Sequence, residues 1–121
     1  MTVQDDLDQL RAETPGCDLT AFGDLSSSLI LRFSAENKLP REKLDQLCAR
    51  AGRGFGVVGS AKDLMPEAVI CFSESQTEVY ARSSASPDDI ICVALGSGHD
   101  IDTGVQAARG MALKMSEGNG S

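Results

Sequence analysis

The chain has 121 residues, of which 11 are Lys or Arg and 18 are Asp or Glu, giving a formal net charge of −7 with 41% hydrophobic residues. That length and apolar content fit one globular domain able to bury a core without disulfide staples. The acidic balance argues against nucleic acid and anionic membrane surfaces as partners, because both demand clustered Lys and Arg. No apolar run reaches membrane-spanning length, and the start MTVQDDLDQL is acidic where a signal peptide is basic and then apolar, so a cytoplasmic protein is expected. Cys17, Cys48, Cys71 and Cys92 are far apart with no CxxC, and read as reduced thiols.

The first element is a short helix. Thr2, with Asp5 three residues later, forms a capping-box-like start, and Val3, Leu7 and Leu10 make its apolar stripe. Asp5, Asp6 and Asp8 suit the positive end of the helix, and Pro15-Gly16 ends it. A weakly alternating strand over Cys17–Gly23 follows. A second strand over Leu29–Ser34 is expected to place Leu29, Leu31 and Phe33 on one face, with Gly23-Asp24-Leu25-Ser26-Ser27-Ser28 as the hairpin connection.

Proline at position 40 opens a second helix with Leu44, Leu47, Cys48, Ala51, Phe55 and Val58 in helical period. Within it lie Gly52, Gly54, Gly56 and Gly59, each costing about 0.5–1 kcal/mol relative to alanine inside a helix. Either the helix stops near Ala51 or the glycines have a use. Gly54-x-Gly56-x-x-Gly59 has dinucleotide-fingerprint spacing, but that motif belongs between a strand and a helix. Close packing is the alternative: Gly52 and Gly56, four apart, let another helix backbone approach, by analogy with membrane helices.

The remainder reads as a three-strand meander and a closing helix. Ala68–Phe72 is a short apolar strand. Thr77–Arg82 alternates, with Val79 and Ala81 on one side and Glu78, Tyr80 and Arg82 on the other. Ser83–Asp89 reads as a loop, and Ile90–Leu95 as a strand covered on both faces. Ile101, Val105, Ala108, Ala112 and Met115 then form one helical stripe, capped by Asp100 or Asp102 and stopped by Gly118. The domain is expected to span 1–117, with a frayed tail at 118–121.

Catalytic chemistry is sparse. His99 is the only histidine. Together with Asp100 and Asp102 it offers a thin metal set beside a helix start, where carboxylates ordinarily act as caps. A Cys–His nucleophile would need Cys92 or Cys17 brought to His99, and no acid/base pair of carboxylates stands out. These residues describe a binding module rather than an enzyme, with no cofactor and no metal.

Three blocks carry a family resemblance: LDQLRAETPG at the first helix; the strand pair ending Phe33-Ser34 with LPREKLDQLCARA behind it; and AVICF, TEVYAR and IICVALG leading into DIDTGVQAARGMALKM. In that order the chain resembles the Roadblock/dynein light chain family, including a glycine, Gly104, near the start of the last helix. Two departures are the Asp24-Leu25-Ser26 turn, where the family has an Asp-Gly type, and the glycine-rich second helix. The resemblance implies an α+β fold with a five-stranded antiparallel sheet, similar in topology to profilin. Its order would be helix-strand-strand-helix-strand-strand-strand-helix, with helices on both faces. It further implies a non-catalytic homodimeric scaffold or regulator, binding a small Ras-like GTPase or another protein. The dimer would join third strands at Val69, Ile70, Cys71 and Phe72 and second helices at Gly52, Phe55, Gly56 and Gly59. Two other readings stand beside it: a small-molecule sensor on a profilin-like fold, and a thiol-dependent enzyme.

Overall fold

The structure, a computed structural model, describes residues 2–36, 40–59, 68–72, 76–83, 86–96 and 100–119. Helix α1 (Val3–Glu13) starts from a complete capping box. The Thr2 hydroxyl accepts from the Asp5 N–H and the Asp5 carboxylate from the Thr2 N–H, both at 3.2 Å. At its far end the Thr14 N–H and hydroxyl both donate to the Leu10 carbonyl, at 3.1 and 2.7 Å. Gly16 then turns the chain with φ 75, a conformation that costs glycine nothing.

Strands β1 (Cys17–Asp24) and β2 (Leu29–Ala35) form a hairpin, followed by α2 (Arg41–Gly59). Strands β3 (Ala68–Phe72), β4 (Gln76–Ser83) and β5 (Ser86–Gly96) come next, and α3 (Ile101–Asn119) closes the chain. The hydrogen-bonded order is β2-β1-β5-β4-β3, and every pairing is antiparallel. All five strands are hydrogen-bonded into one sheet, with α2 against one face and α1 and α3 against the other. Among the described residues the buried sheet side chains come from β2, β1, β5 and β4. β3 runs along β4 alone at the sheet edge and packs beside α2, with Ala68 half-buried and Ile70 38% exposed, while α1 packs on β1 and β2 and α3 on β4 and β5.

The sheet separates two cores. On one face Leu19, Ala21, Ile30, Tyr80, Ile90, Cys92 and Ala94 meet α2. On the other Cys17, Val79, Ala81, Ile91, Val93 and Leu95 meet α1 through Leu7 and α3 through Ala108, Met111 and Ala112. β5 alternates between both, which is why Ile90–Leu95 is apolar without a break.

Several local expectations change. In β2 the register shifts opposite Phe22 and Gly23, so that Ile30 pairs with Gly23 and Arg32 with Phe22. This bulge turns Ile30 and Phe33 toward α2 and leaves Leu29 and Leu31 exposed, so the apolar face is not the one alternation predicts. A Cβ on Gly23 would sit 2.9 Å from Ile30 Cδ1 and 3.0 Å from the Leu29 carbonyl, so glycine is needed there. Ser83–Asp89 is not an open loop: Ser83 pairs with Ser86, and Asp89 lies inside β5. α2 runs through all four glycines to Gly59, and α3 passes Gly118 to end at Asn119.

Gly104 has a physical reason. A Cβ there would stand 2.6 Å from Leu95 Cδ1, so its absence lets α3 settle on β5, whereas a Cβ on Gly110 would meet nothing within 4 Å. Overpacking costs about 1–3 kcal/mol, so Gly104→Ala is expected to fall below Gly110→Ala in stability by about that margin. Thermal melts of the two variants check this; equal melting temperatures would refute the close-approach account.

Candidate functional site

α2 lays Leu44, Leu47, Cys48, Ala51 and Phe55 on the sheet, at i, i+3, i+4, i+7 and i+11. Beneath it are the β4 residues that alternation assigns to the polar side. Glu78 is 5% exposed and Tyr80 fully buried. A buried carboxylate requires partners, and Glu78 has three. Arg50 of α2 grips it with both arms, Nε to Oε1 at 2.8 Å and Nη2 to Oε2 at 2.7 Å. Gln76 Nε2 donates to Oε2 at 2.8 Å, and the Tyr80 hydroxyl donates to Oε1. One turn further along α2, the Arg82 guanidinium stacks 4.2 Å from the centre of the Phe55 ring.

Electrostatics follow the geometry. Burial works against the charged form of Glu78, yet hydrogen bonds from Arg50 and Tyr80 outweigh it and hold its pKa below the ordinary carboxylate value. The bond to Glu78 pushes Arg50 up. Burial, then the neighbouring Cys92 and Glu78, push the Tyr80 phenol up. The network is thus a fixed ion pair with a neutral phenol, unsuited to moving protons near neutral pH.

Beside it opens a cavity of about 260 Å³ between α2 and the sheet. Its origin lies in the register: Ala35, Leu19, Ala94 and Glu78 form one lateral row across the four strands. In that row Leu19, Ala35 and Glu78 line the cavity that α2 bridges. Leu19, Ala35, Leu44 and Leu47 supply apolar lining; Asp18, Glu36, Lys43, Arg50, Gln76 and Glu78 supply polar groups.

The residues proposed from sequence for a dimer junction are only partly brought together. Phe55 is 3% exposed and belongs to the chain's own core, so it is not available to a partner. Gly52 is exposed, and a Cβ there would meet nothing within 4 Å. Gly56 and Gly59 lie on α2, and Val69, Cys71 and Phe72 on β3 opposite Tyr80, Glu78 and Thr77; for these only the backbone position is described. Ile70 stands exposed opposite Val79. The spacing Gly54-x-Gly56-x-x-Gly59 lies inside a helix, where backbone N–H groups serve the helical ladder and not a phosphate.

A thiol nucleophile finds no support. Cys17 is 7% exposed and burial pushes its thiol up to about 11; Cys92 is fully buried; burial and then Asp24 and Asp45 raise Cys48. An attacking thiolate needs the opposite shift. His99 lies outside the described residues. Asp100 is a cap: Oδ1 accepts from the Asp102 N–H at 3.0 Å and Oδ2 from the Thr103 hydroxyl at 2.7 Å. Among the described residues no group of three or more His, Cys, Asp or Glu could hold a metal ion, and no helix is long and apolar enough to cross a membrane.

The sequence matches no family model and no curated protein. Solved structures are similar in fold. A Roadblock/LC7 domain from Streptomyces avermitilis superposes with a TM-score of 0.78 at 14% identity, covering 98% of each chain. The gliding protein MglB from Thermus thermophilus gives 0.70 at 14% identity, over 93% of this chain and 87% of that one. Profilin IA from Acanthamoeba castellanii gives 0.65 at 13% identity, over 99% and 100%. The chain therefore has the Roadblock/LC7 fold, in an architecture it shares with profilin.

Arg50→Ala strands the Glu78 carboxylate, and losing hydrogen bonds to a buried charge costs about 1.5–3 kcal/mol; the lower part is expected because Arg50 is 37% exposed. Urea unfolding measures it, and an unchanged midpoint refutes the clasp. The folded Glu78 pKa lies below its ordinary 4.5, so its contribution is complete above that value and lost as pH falls through the folded pKa. Glu78→Gln is expected to flatten the fall in melting temperature below about pH 4.5 relative to the unchanged chain.

Proposed function

We propose that this chain is a non-catalytic regulatory scaffold that acts as a homodimer and binds a small Ras-like GTPase. The observation that carries the reading is the contrast between the two sheet edges. β2 is blunted for pairing by its bulge and by exposed Arg32. β3 keeps an unbroken register along β4, and packs beside α2, whose Gly52 is exposed with open space above it. A second copy meeting β3 edge to edge and α2 against α2 would satisfy the free ladder and use the glycines. The GTPase partner rests on the resemblance to Roadblock proteins; the solved structures support the fold that goes with it.

Light scattering at micromolar concentration is expected to give twice the 12.7 kDa chain mass. Gly52→Leu, which adds no clash within one chain, should drop the mass to monomer with unchanged circular dichroism, while Leu31→Lys on the opposite edge leaves it dimeric. A monomeric unchanged chain overturns the dimer. Titration against Ras-like GTPases loaded with GDP or a GTP analogue tests the partner, with nucleotide-dependent affinity expected.

A further inference from the structure

We propose that the cavity beneath α2 is a binding site for a small zwitterion, an α-amino acid with an aliphatic side chain. Its volume of about 260 Å³ equals the space of roughly nine waters at ~30 Å³ each. That suits a molecule of about ten non-hydrogen atoms, at the small end of ligand pockets.

The lining selects the chemistry. Leu19 and Ala35 form the sheet side, and Leu44 and Leu47 the helix side, of an apolar space that accepts a branched hydrocarbon. At the end nearest β2 the charged groups are of both signs. Asp18 and Glu36 are brought side by side by the Glu36 N–H bonding the Asp18 carbonyl at 3.3 Å, and Lys43 of α2 lines the same cavity. Among the described residues no side-chain hydrogen bond or ion pair engages any of these three. Arg50 and Glu78, at the other end, neutralise each other.

The unengaged charges are therefore two carboxylates and one ammonium. They match a ligand that presents an ammonium to Asp18 and Glu36 and a carboxylate to Lys43, with its side chain between the leucines. All three are exposed and solvated when the site is empty; a plain amine would forgo the contact with Lys43, and a plain carboxylate would face two like charges.

The site is legible only in three dimensions, since it joins β1, β2, α2 and β4. It does not depend on the dimer, because every lining residue belongs to one chain.

Isothermal titration and amide NMR with L-leucine test the site, with isovalerate (no ammonium) and 3-methylbutylamine (no carboxylate) as half-ligands. Leucine is expected to bind and to shift the Leu19, Leu44 and Leu47 signals. Each half-ligand should bind about tenfold more weakly or worse, as loss of a charge-assisted hydrogen bond implies. Ala35→Leu, which fills the space, should abolish the response. Lys43→Ala, on the exposed side of α2, provides a second variant with no folding risk and should weaken leucine about tenfold. Absence of heat and shifts at millimolar leucine overturns the proposal. So does an amine that binds as tightly as leucine, or leucine binding that survives both substitutions.

Discussion

A carboxylate placed under a helix sets the terms for much of this molecule. Glu78 sits on the sheet surface that α2 covers, where an unpaired charge would cost several kcal/mol. The chain answers with a guanidinium from the helix, a phenol from the same strand and an amide at its rim. That set of bonds fixes where along β4 the helix crosses, because Arg50 reaches both carboxylate oxygens from one position only. Leu44, Leu47, Ala51 and Phe55 then find their places on the same face.

The second organising feature is β5, central in the packed sheet and apolar on both sides. Its even positions face α2 and its odd positions face α1 and α3. Side-chain size along the rows it completes decides what happens above them. Phe33, Ala21, Cys92 and Tyr80 fill one row under the helix, while Ala35, Leu19, Ala94 and Glu78 leave the next one underfilled. On the far face the demand is opposite: Leu95 reaches so close to α3 that a Cβ at position 104 would have to displace its side chain.

α2 consequently has two roles. Its inner surface roofs a cavity edged by charge, and its outer surface is thinned by glycines whose cost in helix propensity no contact within the chain offsets at Gly52. Among the described residues the thiols of Cys17, Cys48 and Cys92 are buried, Glu78 is held in a fixed ion pair and Asp100 serves as a cap. The fold itself is shared with Roadblock domains and profilin, and fold assigns neither role nor partner.

Local chemistry in the sequence determined the element order, the Thr2–Asp5 capping box, the α2 and α3 stripes and the two-faced β5, because each depends on residues a few positions apart. It also carried the likeness to Roadblock proteins through that order. Tertiary structure decided the rest. Alternation put Glu78, Tyr80 and Arg82 on a polar side, but whether that side meets water or a helix depends on Arg50 and Phe55, more than twenty positions away. A bulge of one residue exchanged the faces of β2, which no period in LILRFS reveals. The length of α2 was undecided locally, since four glycines oppose a helix that packing on the sheet sustains. The cavity is lined by Ala35, Leu19 and Glu78 from three different strands, which only strand register brings into one row.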